Sequence, residues 1–121
     1  MRFAPTSWLA VFLLMMLPAF AEDPRRVLFI GNSYTGVNKL PDVFLEVVKS
    51  SGRPAPVVKS STPGGRTLKQ HLGIAGSMKL IEEGGWDVVV LQGQSQEPAI
   101  AEADEAVRKE FLESAAELCR R

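Results

Sequence analysis

The chain has 121 residues, with 14 basic and 14 acidic side chains, one histidine and one cysteine. A balanced charge without a basic stripe argues against nucleic acid as a partner, and a single cysteine excludes an internal disulfide. One histidine and one cysteine are too few to form a metal-ligand cluster, so we expect neither a metal nor another cofactor.

The first 21 residues have the pattern of a secretory signal peptide. Arg2 gives a positive start, an apolar core follows, and the small residues Ala19 and Ala21 mark a cleavage site. The apolar core is too short for a membrane span, which takes about 20 residues. We therefore expect export to the periplasm or the medium, cleavage after Ala21, no remaining membrane attachment, and a mature chain of residues 22–121.

The mature part is predicted to alternate strands and helices. Short apolar runs predict strands at residues 27–30, 55–59 and 87–91, and apolar residues at helical spacing predict helices at residues 40–51, 67–83 and 99–120. Gly73 and Gly76 predict a break in the second helix, because each costs about 1 kcal/mol relative to alanine. This alternation predicts a parallel sheet with helical crossovers.

Each predicted helix has one apolar face that we expect to be buried. In the first helix the face comprises Leu40, Val43, Phe44, Val47 and Val48. In the second it comprises Leu68, Leu72, Ala75 and Met78 or Ile81. In the last it comprises Ile100, Ala103, Val107, Phe111, Ala115 and Leu118.

The three loops that follow the predicted strands must emerge at the same edge of a parallel sheet, which is where such sheets bind ligands. They are residues 31–35, 62–67 and 92–96, called here the first, second and third loops. Each is rich in glycine or in hydrogen-bonding side chains, and none contains a run of charges. We interpret this edge of the sheet as the candidate site.

Ser33 is the candidate nucleophile. It follows Gly31 and Asn32 directly after the first strand, where the backbone is rigid and amide groups are available to stabilise an oxyanion. Asparagine and serine at a turn also bond to their own backbone, so turn chemistry alone would place these residues here. The Ser33 amide, the Gly65 amide and an amide side chain from the third loop are donors suited to acyl transfer.

These loops carry a resemblance to a known family. Gly31-Asn-Ser-Tyr-Thr35 resembles the first block of the SGNH (GDSL-type) hydrolases, and Gly64-Gly-Arg-Thr67 resembles the second, with Gly65 as the glycine of the oxyanion hole. The third block usually reads Gly-x-Asn-Asp, whereas Leu91-Gln-Gly-Gln-Ser95 is similar to a glutamine-containing variant among acetyl esterases of the superfamily. Gln92 or Gln94 would then replace the asparagine.

The resemblance implies a flavodoxin-like, three-layer α/β/α fold, of which residues 22–121 would be the N-terminal part, ending after the third strand-helix unit. It implies a serine esterase that forms an acyl-enzyme at Ser33, with an O-acetylated glycan as a candidate substrate. The family carries its base in a C-terminal Asp-x-x-His block, which this sequence lacks. We therefore expect the chain to be inactive alone and its third strand to be an exposed apolar edge.

His71, the single histidine, lies on the predicted second helix, where we expect it to pack or cap rather than to catalyse. Two other functions compete with the esterase. One is an exported non-catalytic α/β module that binds a polar ligand at the same edge. The other is a nucleotide or phosphate binder, which is disfavoured because neither Gly-x-x-x-x-Gly-Lys-Ser/Thr nor Gly-x-Gly-x-x-Gly follows a strand.

Overall fold

The computed structural model describes residues 25–121, so the predicted signal peptide lies outside the described residues. Three parallel strands form one open sheet in the order β2-β1-β3. The strands are β1 (Arg26–Ile30), β2 (Val57–Ser61) and β3 (Val88–Leu91). The helices are α1 (Ser33–Gly36), α2 (Leu40–Ser50), α3 (Leu68–His71), α4 (Ala75–Glu83), α5 (Glu97–Ala103) and α6 (Glu105–Arg120). The predicted α/β class with a parallel sheet is confirmed.

The central strand is β1. Phe29 pairs with Ser60 on one side and with Val90 on the other, both in parallel register. The four residues from Val27 to Ile30 are at most 5% exposed. A strand covered on both faces reads as a continuous apolar run, which is the pattern that predicted it.

Helices cover both faces of the sheet. On one face, Phe29 packs against Phe44 of α2 in an edge-to-face arrangement, with the ring centroids 5.7 Å apart. Side chains alternate along a strand, so Leu28 and Ile30 point to the opposite face. There they form a buried cluster with Leu68 of α3, Ile81 of α4 and Leu118 of α6.

The second strand differs from its predicted bounds. The sequence predicts it at residues 55–59, whereas the structure has it at Val57–Ser61. Ser60 and Ser61 stay in the ladder because they pair with Phe29 and Ile30 of the central strand. Two polar residues therefore continue the strand up to the candidate site, and the apolar pattern could not show this.

Both long predicted helices are interrupted. The predicted break in the second is confirmed, since α3 ends at His71 and α4 begins at Ala75. The prediction of one continuous last helix is wrong, because Asp104 has an extended backbone (φ −125°). Its carboxylate accepts hydrogen bonds from the amides of Ala106 and Val107, which ends α5 and begins α6.

The apolar helix faces are only partly buried. In α2, Phe44 and Val48 are half-buried, whereas Leu40, Val43 and Val47 are between 45% and 60% exposed. Three further residues predicted to be buried are exposed as well, namely Ala75, Ile100 and Ala103. For the last two the reason is that α5 packs mainly against α6 and not against the sheet.

The third strand forms one edge of the described sheet. Within residues 25–121, β3 pairs with β1 alone. Val88 and Val89 are about 40% exposed, as expected for an apolar edge. No helix in this range is long and apolar enough to cross a membrane.

Candidate functional site

The three loops meet at the buried side chain of Asn32. Its Nδ2 donates to the carbonyl oxygen of Arg66 in the second loop at 3.1 Å and to that of Gly93 in the third loop at 3.2 Å. Its Oδ1 accepts from the amide of Tyr34 at 3.1 Å and so caps α1. The loops therefore lie side by side at the carboxyl edge of the sheet, as parallel strands require.

Ser33 occupies the first position of α1 and is half-buried. Its carbonyl oxygen accepts from the amide of Val37 at 2.8 Å, which fixes the backbone of this short turn. Within residues 25–121, neither its hydroxyl nor its amide takes part in a hydrogen bond. Both groups therefore keep their hydrogen-bonding capacity unused among the described residues.

Gly65 lies in an open part of the second loop. Its φ is +68°, a conformation that favours glycine, and a Cβ atom there would meet nothing within 4 Å. Its amide donates to no group of the described chain. The loop is held just beyond it by Thr67, whose hydroxyl accepts from the amide of Gln70 at 3.2 Å while its own amide donates to the Gln70 side chain at 3.0 Å.

The side chain of Gln92 is engaged with the first loop. Its Oε1 accepts from the Asn32 amide at 3.1 Å and from the Thr35 hydroxyl at 3.0 Å. Its Nε2 donates to the carbonyl oxygen of Gly93. Its backbone amide continues the sheet by donating to the Ile30 carbonyl at 2.8 Å. Gln92 therefore connects the first and third loops.

Gln94 retains a donor. Its Oε1 accepts from the amide of Gln96 at 2.6 Å, and its backbone amide donates to the carboxylate of Glu97 at 2.5 Å. Its Nε2 takes part in no hydrogen bond within the part of the chain that the structure describes. Of the two glutamines, Gln94 has the unused amide group.

His71 is fully buried and lies behind the first loop. Its Nε2 is 2.8 Å from the Gly31 carbonyl oxygen, and its Nδ1 is 2.7 Å from the Ser77 hydroxyl. Burial lowers the pKa of the imidazole, and the hydrogen bond to Gly31 offsets part of this shift. The histidine packs as expected, but its contact with Gly31 joins residues far apart in sequence, and no local pattern indicates it.

The arrangement is suited to acyl transfer. A serine hydroxyl on a rigid strand-to-helix turn is flanked by loops that carry unused amide donors, and such donors stabilise a developing oxyanion. Within residues 25–121, no group of three or more His, Cys, Asp or Glu side chains is placed to hold a metal ion. Comparison of the chain with protein-family models, with curated proteins and with solved structures finds no match.

Proposed function

We propose that the protein is an exported serine hydrolase of the SGNH type, which acts on ester bonds with Ser33 as the nucleophile. The observation that carries the proposal is the buried Asn32 side chain, which holds the first loop against the loops of Gly65 and Gln94. Three sequence blocks that resemble the family thus belong to loops at one edge of the sheet. Export rests on the signal-peptide pattern of residues 1–21.

The sheet order supports the finer fold assignment. The order β2-β1-β3 is that of the first three strands in a flavodoxin-like sheet, 2-1-3-4-5. In such sheets a ligand binds where the strand order reverses, beside the first strand. Only Gly31 and Asn32 separate Ser33, the first residue of α1, from the end of β1, and this supports its assignment as the nucleophile.

The proposed reaction has two steps. In the first, the Ser33 hydroxyl oxygen attacks the ester carbonyl carbon and its proton passes to a base; the bond to the alcohol breaks, and the alcohol leaves with a proton. In the second, water hydrolyses the acyl-serine and releases the acid. The oxyanion of each tetrahedral intermediate is held by the amides of Ser33 and Gly65 and by the Gln94 side chain.

Gln94 is preferred to Gln92 as the side-chain donor. The carbonyl of the Gln92 side chain accepts from the first loop, and its Nε2 already donates to Gly93. The Nε2 of Gln94 is unused among the described residues. We assign Gln94 to the oxyanion and Gln92 to the support of the loop.

The base is not His71, because both of its ring nitrogens are engaged in the protein interior. It is the single histidine of the sequence. We propose that the base is an imidazole that residues 1–121 do not contain, and that an O-acetyl group on a glycan is the substrate. An imidazole in solution can stand in for that base in an assay.

The test is site-selective acylation. The protein is incubated with p-nitrophenyl acetate and imidazole, digested, and mapped by mass spectrometry. Imidazole takes the Ser33 proton, the acetyl group moves to the serine oxygen, and p-nitrophenolate leaves. We expect acetyl-Ser33 to accumulate, because it is an alkyl ester with a poor leaving group and hydrolyses more slowly than p-nitrophenyl acetate reacts with the serine.

Ser50 provides an internal control. It is exposed at the end of α2, and its hydroxyl bonds to its own helix at Val47. We expect acetylation at Ser33 to exceed that at Ser50 by about tenfold or more, since oxyanion donors act only at the proposed site. Equal acetylation of the two serines would overturn the proposal and favour a non-catalytic binding module.

A further inference from the structure

A buried chain of hydrogen bonds leads from β2 to the first loop. The Ser61 and Ser77 hydroxyl oxygens are 2.8 Å apart, Ser77 is 2.7 Å from Nδ1 of His71, and Nε2 of His71 is 2.8 Å from the Gly31 carbonyl oxygen. His71 and Ser77 are both fully buried. No buried side-chain nitrogen or oxygen atom among the described residues lacks a hydrogen-bond partner.

The Gly31 carbonyl, the last acceptor in this series of hydrogen bonds, fixes the direction of each bond. A carbonyl oxygen can only accept, so Nε2 of His71 carries the hydrogen that is donated to Gly31. Burial lowers the pKa of His71, which favours the neutral ring, so its Nδ1 is an acceptor. Ser77 then donates to Nδ1, and Ser61 donates to Ser77.

The peptide between Gly31 and Asn32 is held on its other side by Gln92. The Asn32 amide donates to Oε1 of Gln92 at 3.1 Å, while the Gly31 carbonyl accepts from His71 at 2.8 Å. A flip of this peptide would direct its carbonyl toward Oε1 of Gln92 and its N–H toward Nε2–H of His71. Each contact would then be repulsive, so one orientation is strongly preferred.

The packing around Gly31 supports the same conclusion. A Cβ atom on Gly31 would lie 2.7 Å from Oγ1 of Thr35 and 2.9 Å from Oε1 of Gln92. Thr35 is itself buried and donates to the same Gln92 oxygen. The Gly31–Asn32 peptide therefore forms one close-packed unit with Thr35 and Gln92. These distances leave no room for a side chain at position 31, so the unit requires glycine there.

We propose that His71 and Gln92 are positioning residues that hold the Gly31–Asn32 peptide from opposite sides and thereby orient Ser33. The proposal deepens the proposed function, on which its catalytic part rests. Ser33 follows the held peptide by one residue, so rotation of that peptide would move both its hydroxyl and its amide. His71 acts through the backbone and touches no substrate.

Two substitutions test the roles of the two ring nitrogens of His71 separately. In His71→Gln, the side-chain amide extends to the place of Nε2 and can still donate to Gly31. In His71→Asn, the shorter amide reaches the place of Nδ1 and loses Gly31. The two variants are similar in polarity, so a general effect of removing the ring would affect both equally.

The primary measurement is amide hydrogen exchange of Asn32, with Leu28 in the central strand as the control. We expect His71→Asn to speed the exchange of Asn32 by about tenfold, the effect of losing one ordinary hydrogen bond, and His71→Gln to leave it within about threefold of the wild type. Exchange of the Leu28 amide requires global unfolding. Its rate should therefore change only by the amount that the measured free energy of unfolding predicts. Equal exchange of Asn32 in the two variants would overturn the proposal.

A measurement on the unmodified protein avoids any failure of a variant to fold. The ¹⁵N spectrum of the His71 ring should show hydrogen on Nε2 and none on Nδ1 at neutral pH. Hydrogen on Nδ1 would contradict the proposal.

Acetylation of Ser33 then tests the catalytic part, with an expected loss of about tenfold in His71→Asn and recovery in His71→Gln. If the expected exchange pattern is found but wild-type Ser33 is not acetylated, the proposed hydrolase function is wrong, whereas the positioning role of His71 is still supported. If Ser33 is acetylated equally in both variants, the catalytic role of the positioning fails.

Discussion

Nδ2 of Asn32 lies 3.1 Å from the carbonyl oxygen of Arg66, a residue 34 positions further along the chain. This hydrogen bond joins the loop of Ser33 to the loop of Gly65. The same nitrogen donates to Gly93 in the third loop, so one buried side chain holds the whole edge of the sheet together. The consequences can be tested without knowledge of the substrate.

Replacing Asn32 should loosen all three loops. We expect Asn32→Ala to lower the free energy of unfolding by about 2 kcal/mol, because the Arg66 carbonyl loses its donor, the Gly93 carbonyl keeps only the Gln92 side chain, and α1 loses its cap. Urea denaturation followed by circular dichroism measures the change. Asn38→Ala is the matched control, since Asn38 is exposed, and it should change stability by less than about 0.5 kcal/mol. Equal effects of the two substitutions would contradict the role of Asn32.

The stability of the protein should depend on the protonation of His71. Its pKa is lowered from 6.5 by burial, so between the lowered value and 6.5 the unfolded chain binds more protons than the folded one. The stabilising contribution is therefore complete above about pH 6.5 and is lost as the pH falls toward the lowered pKa. Urea midpoints at about pH 8 and about pH 5 measure it.

In His71→Gln, which has no titrating ring, the free energy of unfolding should no longer rise with pH between the lowered pKa of His71 and 6.5. Two carboxyl groups titrate lower. The pKa of Glu83 is held below 4.5 first by its hydrogen bond with Lys59, and that of Glu117 first by its hydrogen bond with Arg121. Their contributions are present above pH 4.5 and are lost as the pH falls through the lowered values. A slope between about pH 5 and pH 6.5 that persists without His71 would rule out its assignment to the buried ring.

Gly31→Ala should destabilise the protein. The added methyl group would stand 2.7 Å from Thr35 and 2.9 Å from Gln92, both held by hydrogen bonds, so we expect a loss of about 1–3 kcal/mol. Gly76→Ala is the control, because a Cβ atom there meets nothing and alanine favours helix, with an expected gain of up to about 1 kcal/mol. Thermal unfolding of both variants compares the two glycines. If Gly31→Ala left the melting temperature unchanged, Gly31, Thr35 and Gln92 would not be close-packed.

The exposed edge of β3 should make the isolated protein associate. Val88 and Val89 combine a strand edge that no strand of residues 25–121 pairs with and exposed apolar side chains, which promotes pairing between molecules. We expect concentration-dependent dimers in sedimentation velocity, and Val89→Lys should reduce them. Leu112→Lys changes an exposed leucine on α6 and should have no effect. Equal reduction by both variants would indicate non-specific association.

The strand-helix alternation could be predicted because its apolar periods are local. The central strand was predicted within one residue, since a buried parallel strand is continuously apolar. The continuation of β2 through Ser60 and Ser61 could not be predicted, because hydrogen bonds to β1 and not apolarity keep them extended. The interruption at Asp104 was missed as well, because an aspartate in a helical pattern also suits a solvated face.

In the candidate site, the sequence indicates which residues stand on the same edge but not which atoms they direct at one another. The side-chain amide of Gln92 can both donate and accept hydrogen bonds. Only its contacts with Asn32 and Thr35 show that its oxygen, Oε1, is used within the protein. The burial of His71 follows from its place among apolar residues. Its link to Gly31 depends on the packing of α3 against the first strand and has no local signal.

The position of β1 between two strands that follow it in the chain determines when the site can form during synthesis. A nascent chain that has released only β1 and α2 from the ribosome has no partner for either edge of that strand. The second partner is β3, and Leu118 of α6 completes the cover over Leu28 and Ile30. Ser33 is thus made early but acquires these surroundings only after the chain as far as Leu118 has emerged.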